Sequence, residues 1–268
     1  MQQDKRLVFD VETQKELAEV GGFRNVHMLG ISVVGVYTYA DNTYKAYEEK
    51  DLPELEKVMA DASLIIGFNT KHFDNQVIQP YFKNFTIAEA PTLDLMEKLE
   101  AVLGYRPGLG ALASATLGEQ KSGHGLEALQ WYKEGKIDQI KKYCLQDVKL
   151  TKEVYEYGLN HGSVLFESRV SGLQTVVASW FNDKEKKDIQ AILADAYKNK
   201  KLVEIDYVSM KSEDGEEARK KRNIEIYSIN KDTVEAYCHT RKDKRYFKVH
   251  RILDARVIDE EHKIPSLF

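Results

Sequence analysis

"VFDVET", residues 8–13, is the stretch that decides how this chain is read. Val8, Phe9 and Val11 form the β-branched and aromatic run of a buried strand, and Asp10 and Glu12 stand two apart within it. Successive side chains of a strand alternate faces, so the two carboxylates share one side. Alone, such a pair reads most simply as solvent-facing charge. Between residues that look buried on both faces, it asks for cations.

Two further segments carry the same message. In "IIGFNTKHFDNQVI", residues 65–78, a buried strand over residues 64–68 leads to Asn69, then to Phe73 and Asp74 at the start of a helix. The plainer role for Asp74 is helix N-cap. In "YCLQD", residues 143–147, Tyr143 and Asp147 are four apart on a long helix over residues 137–162 and face the same way. The plainer reading there is a core-edge tyrosine beside a surface aspartate. Ile137, Ile140, Cys144, Leu145, Val148 and Val154 form the apolar stripe of that helix. Together the three segments bring four carboxylates from two strand-like elements and a helix, in an order that can converge. Two like charges 4 Å apart repel by about 4 kcal/mol at an effective dielectric of ~20. Oxygen ligands of this kind favour Mg²⁺ or Mn²⁺, and a pair of such ions about 3.5–4 Å apart serves in-line phosphoryl displacement.

"FDVE", "GFNTKHFD" and "YCLQD" resemble the three exonuclease motifs of the DEDD superfamily on a ribonuclease H-like fold. Tyrosine four residues before Asp147 is similar to the DEDDy branch, shared by the proofreading domains of family B polymerases. The histidine branch would need His at position 142, where this chain has Lys142. The motifs occur in order over residues 1 to about 160, and "PTLDLMEKLE" and "ALASATLGEQKSG" resemble the middle segment more weakly. The resemblance implies that Asp10, Glu12 and Asp147 hold two Mg²⁺ or Mn²⁺ ions, with Asp74 joining directly or through water. It implies that Tyr143 orients the attacking water and that Asn69 and Phe73 support the strand near the scissile phosphate. Lys71, Lys121 and His124 are candidate phosphate contacts, with structural or solvated roles equally open. "KSGHGLEALQWYKEGK", residues 121–136, reads as loop-like, and how it closes the cleft bears on exonuclease against endonuclease action.

The totals set the frame. The chain has 268 residues, 31% of them charged, with a formal net charge of −4, which describes a globular protein with no charge signature of a nucleic-acid partner. The charge is divided unevenly: residues 184–268 hold 20 Lys+Arg against 17 Asp+Glu, the rest 19 against 26. That split suggests two modules. Cys144 and Cys238 make neither a metal pair nor a disulfide framework, the N-terminus reads as no signal peptide, and no apolar run has membrane-spanning length, so the cytoplasm is expected.

The organisation expected is a domain over 1–162 with a mixed central sheet flanked by helices, a connector and amphipathic helix over 163–200, and a small β module over 201–268. In the last, Arg241, Arg245, Lys248, His250 and Arg251 are interleaved with Tyr237, Tyr246 and Phe247. Basic groups attract phosphate and aromatic faces stack on bases; a solvated sheet face with its aromatics in the core is the plainer account. Tyr237, Cys238, Arg241, Arg245, Phe247, Arg251 and Ile252 resemble a WYL domain, an Sm-like β-barrel, although "EAY" stands where its name-giving tripeptide would be. The resemblance implies a site for nucleic acid or a nucleotide using Arg241, Arg245 and Arg251. The whole reads as a metal-dependent 3′–5′ exonuclease on single-stranded DNA or RNA with a C-terminal binding or regulatory barrel. A structure-selective endonuclease and a catalytically silent nucleic-acid or nucleotide binder are the rivals, and pairing of the β module leaves a homodimer open.

Overall fold

The run that carries Asp10 and Glu12 is the middle strand of a five-stranded sheet, which is why its apolar residues are buried on both faces. The structure is a computed structural model and describes residues 4–119, 125–168, 172–178, 180, 183–209 and 219–261. It divides into two units, Met1–Glu156 and Tyr157–Phe268.

In the first unit, β1 (Arg6–Thr13) is followed by the hairpin β2 (Ile31–Thr38) and β3 (Thr43–Tyr47), then α1 (Leu52–Ala60), β4 (Leu64–Gly67), α2 (Asp74–Ile78) and β5 (Thr92–Asp94). Helices α3 (Leu95–Leu103), α4 (Leu109–Leu117), α5 (Gly125–Lys133) and α6 (Ile137–His161) complete it. The sheet order is β3-β2-β1-β4-β5, with β1 antiparallel to β2 and parallel to β4, and β4 parallel to β5. The period of two sorts β1 cleanly. Leu7, Phe9 and Val11 face one core with Leu52, Leu55, Met59, Val77 and Ile78 of α1 and α2. The opposite face meets a second core of Val33, Ala128, Ile140, Tyr143 and Cys144, and it is the face on which Asp10 and Glu12 stand.

The loop expected between residues 121 and 136 is a helix from Gly125 onward, while 120–124 lie outside the described residues. Ala128 and Leu129, one turn from Trp131 and Tyr132, give it an apolar face, and Ala128 is fully buried. In α6 the buried face is turned slightly from the expected stripe. Leu145 is half-exposed, and Tyr143, Asp147, Leu150 and Thr151 are buried.

The second unit holds the hairpin β6 (Ser163–Ser168) and β7 (Gly172–Val177), helix α7 (Asp183–Lys198), and strands β8 (Lys201–Val208), β9 (Arg219–Asn230), β10 (Thr233–Cys238), β11 (Asp243–Lys248) and β12 (Ile252–Glu261). The last five form one antiparallel sheet in the order β11-β10-β9-β8-β12. Ile189, Leu193 and Ala196 of α7 cover the face that carries Val203, Ile205, Ile224, Val234 and Phe247. Among the described residues no ladder joins β11 to β12, so what stands here is a five-stranded antiparallel sheet with a helix on one face. No helix among the described residues is long and apolar enough to cross a membrane.

Candidate active site

Asp10 and Glu12 stand in the second half of β1, and Asp74 follows β4 in the first turn of α2, on the side where open sheets with parallel strands expose their crevice. Asp10 is half-buried and lies opposite Gly35 of β2; Glu12 is 8% exposed and lies opposite Val33, just before a register irregularity between Glu12 and Thr13. Asp74 comes from the first turn of α2. It is no N-cap: that position is Phe73, and the Asp74 carboxylate turns to the sheet, where Oδ1 accepts the Val11 backbone N–H at 2.9 Å. Between Asp10 and Glu12, then, the strand's own N–H anchors the third carboxylate.

Asp147 is 3% exposed on α6 and is not a surface aspartate. Its charge reaches the cluster. Burial pushes the Asp74 carboxyl up to about 7, with the charges of Asp94 and Asp147 adding to the rise and backbone hydrogen bonds opposing it. Cys144, one turn before Val148, is fully buried. Burial first, then the charges of Asp10, Glu12 and Asp147, hold its thiol well above the usual range. Its Sγ lies 3.4 Å from the Asp10 carbonyl oxygen and 3.7 Å from Asp10 Oδ2 and accepts the Gly35 N–H at 3.1 Å. Tyr143 is 3% exposed, with its ring edge-on to Trp131 at 6.0 Å.

Gly35 explains how α6 comes this close. A Cβ there would stand 2.9 Å from Cys144 Sγ and 3.0 Å from Val148 Cγ2, so only glycine lets the helix lie on β2 at this distance.

The loop before Asp74 is held from beneath. Asp94 is completely buried at the end of β5, and its carboxylate accepts the N–H groups of Asn69 (2.9 Å), Lys71 (3.0 Å), Met96 (3.1 Å) and Glu97 (3.3 Å). It caps α3 and fixes the Asn69–Lys71 turn with one side chain. Asn69 has φ +68°, a left-handed conformation that asparagine tolerates, and its Oδ1 accepts from Arg106 Nη2 at 3.0 Å. Phe73 packs near Phe23, ring centres 6.4 Å apart. The Lys71 ammonium pairs with Glu97 at 2.6 Å. Lys121 and His124 lie outside the described residues.

A cleft of about 390 Å³ opens beside Glu12, walled by Val11, Leu17, Phe73, Leu126 and Leu129. A larger one of about 750 Å³, bordered by Lys71, Asn75 and Ile87, has no carboxylate in its lining. The donor set fits divalent cations. Buried, like-charged carboxylates on converging supports, one of them driven toward the neutral form, describe negative charge in want of a counter-ion. Sequence reasoning missed Asp94 and the place of Cys144. A strand-end aspartate before "LMEKLE" is a capping signal for the first; the second is invisible until β2 and α6 are packed.

In the second unit the basic candidates are spread over the β10–β11 hairpin and the turn that follows it. Arg241 lies in the turn between β10 and β11, Arg245 is exposed on β11 opposite Ala236, and Arg251 is half-buried in the 3-10 turn before β12. The aromatics divide: Phe247 is in the core, Tyr237 is half-buried and Tyr246 is 64% exposed beside Lys244.

The family model of the RNase_H superfamily matches residues 7–158, and that of the WYL domain matches residues 188–257. None of the curated proteins matches the chain. Among solved structures the chain is similar to the family B DNA polymerase from the hyperthermophilic archaeon Pyrobaculum calidifontis, at 15% identity and TM-score 0.45, over 57% of this chain and 24% of that one. It is also similar to E. coli ExoI in a zinc-bound complex with single-stranded DNA, at 12% identity and TM-score 0.34, over 87% and 54%. A third is proteasome accessory factor B/C of Arthrobacter aurescens, at 15% identity and TM-score 0.25, over 87% and 25%. The chain thus spans between about a quarter and about half of the length of these proteins.

Proposed function

This chain belongs to the RNase_H superfamily and carries a WYL domain, and from that premise we propose that it is a metal-dependent 3′–5′ exonuclease of the DEDDy kind acting on single-stranded DNA or RNA. What supports the reading is that Asp74 is bonded to the strand between Asp10 and Glu12 and that the charge of Asp147 acts on Asp74.

Asp10, Glu12 and Asp147 are the residues that would hold two Mg²⁺ or Mn²⁺ ions, with Asp74 directly or through water. Bound there, such ions supply charge neutralisation at the scissile phosphate and a more acidic water. The chain's own groups do the rest. The Tyr143 hydroxyl orients the attacking water. Asn69 and Phe73, at the rim formed by the Asp94-held turn, steady the strand, and the apolar cleft beside Glu12 takes the terminal nucleoside. Hydrolysis releases nucleoside 5′-monophosphates. In the WYL domain, whose sheet in this reading closes as an Sm-like barrel, Arg241, Arg245 and Arg251 bind nucleic acid or a nucleotide. Lys121 belongs to the same proposal as a phosphate contact.

The test is cleavage of a 5′-labelled single strand, DNA and RNA in parallel, with Mg²⁺, with Mn²⁺ and with chelator, for wild type and Asp10→Ala. A ladder shortening from the 3′ end, lost in chelator and in the variant, is expected. Internal products sink the exonuclease reading in favour of an endonuclease.

A further inference from the structure

We propose that Cys144 joins Asp10 and Glu12 in a mixed sulfur–oxygen site for a thiophilic divalent cation, Zn²⁺ or Cd²⁺, that competes with the hard ions of the nuclease site. The inference rests on the proposed function for the metal-binding role of the two carboxylates and goes beyond it in adding a sulfur ligand and a second class of cation.

One ligand atom from each of the three residues, the thiol sulfur and a carboxylate oxygen of Asp10 and of Glu12, lies within 4.8 Å of the others. The Sγ to Asp10 Oδ2 separation is 3.7 Å. A tetrahedral zinc with a sulfur bond of about 2.3 Å and an oxygen bond of about 2.0 Å needs a sulfur–oxygen edge of about 3.5 Å. The pair therefore stands within a few tenths of an ångström of a coordination edge before any side chain turns. Glu12 is more than nine-tenths buried on the same sheet face and offers the third donor.

The sulfur is also supported as ligands usually are. The Gly35 N–H points at Sγ from 3.1 Å, the kind of outer hydrogen bond that orients a metal ligand and stabilises charge on it. The missing Cβ at Gly35 is what admits the sulfur to this position. An apolar residue filling the α6 stripe would need neither feature. Binding breaks the S–H bond, forms a metal–sulfur bond and releases the proton to solvent, with no change of oxidation state. Mg²⁺ and Mn²⁺ prefer oxygen and gain little from the thiol, whereas Zn²⁺ and Cd²⁺ gain a strong ligand. An ion so held engages Asp10 and Glu12 and takes them from the hard-ion site, which makes Zn²⁺ an antagonist of the Mg²⁺- or Mn²⁺-loaded protein.

The experiment is a titration of the full chain with Cd²⁺, followed by ultraviolet sulfur-to-cadmium charge-transfer absorption, beside a Mn²⁺ titration followed by electron paramagnetic resonance. Wild type, Cys144→Ser, Cys144→Ala and Asp10→Asn are compared, with circular dichroism to establish folding. The expected result is a charge-transfer band in the wild type that is lost in both cysteine variants although Cys238 remains. Asp10→Asn, which keeps the thiol, weakens Cd²⁺. Cd²⁺ binding, read from its competition with Mn²⁺ in the resonance signal, falls on Cys144→Ser by more than the roughly tenfold that loss of an outer-shell partner already costs, and Mn²⁺ binding alone is nearly unchanged. Mn²⁺ binding without a Cd²⁺ band in the wild type overturns the proposal and leaves the nuclease site intact. A band that survives in both cysteine variants assigns it to Cys238 and overturns the proposal equally. A Cys144-dependent band without Mn²⁺ binding sustains the sulfur site and sinks the hard-ion reading instead.

Discussion

Gly35→Ala is the substitution that most directly tests whether α6 and β1 form one site. The change adds a single methyl group to a strand residue that carries no charge, lies opposite Asp10 in the β1–β2 ladder and packs against Cys144. Its Cβ would stand 2.9 Å from Cys144 Sγ, 3.0 Å from Val148 Cγ2 and 3.3 Å from the Cys144 carbonyl carbon, where ordinary contacts begin at 3.4 Å. Relief requires α6 to move away from β2 by about 0.5–1 Å, because Val148 is stiff in a helix and the third close atom, the Cys144 carbonyl carbon, is backbone. Overpacking of this kind costs about 1–3 kcal/mol, or about 2–12 °C in Tm for a unit of this size. The same displacement carries Tyr143 and Asp147 away from Asp10 and Glu12. Misplacement of a catalytic group by ~1 Å can cost about a hundredfold, so a drop in cleavage of about tenfold to a hundredfold is expected, expressed in kcat. Urea unfolding gives the stability and single-turnover cleavage gives the rate. In the double variant Gly35→Ala/Cys144→Ala the sulfur clash disappears, and a coupling of at least about 0.5 kcal/mol should return part of the loss. Unchanged Tm and unchanged cleavage in Gly35→Ala would refute the reasoning, since the helix would then not be pressed on β2 as described.

Four further outcomes are expected. Asp94→Asn keeps one acceptor oxygen but replaces the other, in a fully buried position, with an NH2 donor that faces a backbone N–H, and it removes the charge the four N–H groups meet; it should lower stability by about 1–3 kcal/mol in urea unfolding, with cleavage falling as the Asn69–Lys71 turn loosens. Tyr143→Phe should leave oligonucleotide binding intact and lower kcat by about a hundredfold; wild-type kcat in this variant would remove Tyr143 from the mechanism. The Asn84, Lys83 and Phe85 backbone N–H groups hold the Glu56 carboxyl below its usual range, against the effect of burial. That stability is present above the unfolded carboxylate pKa and is lost as pH falls through the lowered folded value, so Glu56→Gln should melt earlier than wild type at pH 7 and the gap should close below about pH 4. Asp147→Asn should stabilise the protein in chelator by about 1–2 kcal/mol, by relieving its repulsion with Asp74, while abolishing the rise in Tm expected when Mg²⁺ is added to the wild type.

Much of this architecture could be read from local pattern. The strand of "VFDVET", the buried strand over 64–68 and the long helix over 137–162 announce themselves through β-branched runs and helical spacing, and the structure has them as β1 (Arg6–Thr13), β4 (Leu64–Gly67) and α6 (Ile137–His161). Asp10 and Glu12 shared a face because a strand has period two, and Tyr143 and Asp147 because a helix repeats near four. What stayed hidden depends on contacts distant in sequence. The apolar spacing of Cys144 on α6 is the same whether it meets a leucine or an aspartate; only the packing of α6 on Gly35 decides that it meets Asp10. Asp74 reads as an N-cap in the sequence but is the first residue of α2, and its partner, the Val11 N–H, is 63 residues away in the chain. The helix from Gly125 was obscured by "KSGHG" before it, whose glycines read as loop and drew the following turn into the same reading.

The supports of the four carboxylates are themselves uncharged or locally neutralised, and that has a physical reason. Burial raises the Asp74 carboxyl, and the charges of Asp94 and Asp147 add to the rise. A support that brought another net charge would deepen the repulsion or, if positive, would occupy the place of a cation. The chain holds Asp74 with a backbone N–H, admits α6 through a missing methyl group, and ties the Asn69–Lys71 turn to Asp94, whose charge is met by four N–H groups, three of them donating to Oδ1, although it still adds to the rise at Asp74. The opposing core of Leu7, Phe9 and Val11 against α1 and α2 supplies rigidity on the other face of the same strand. Stability and function therefore pull against one another at this end of the sheet. A substitution that removes a cluster charge should help the cation-free fold and harm the loaded one, whereas a substitution in a support should harm both, and that difference in sign separates ligands from scaffolding in a single set of melts with and without Mg²⁺.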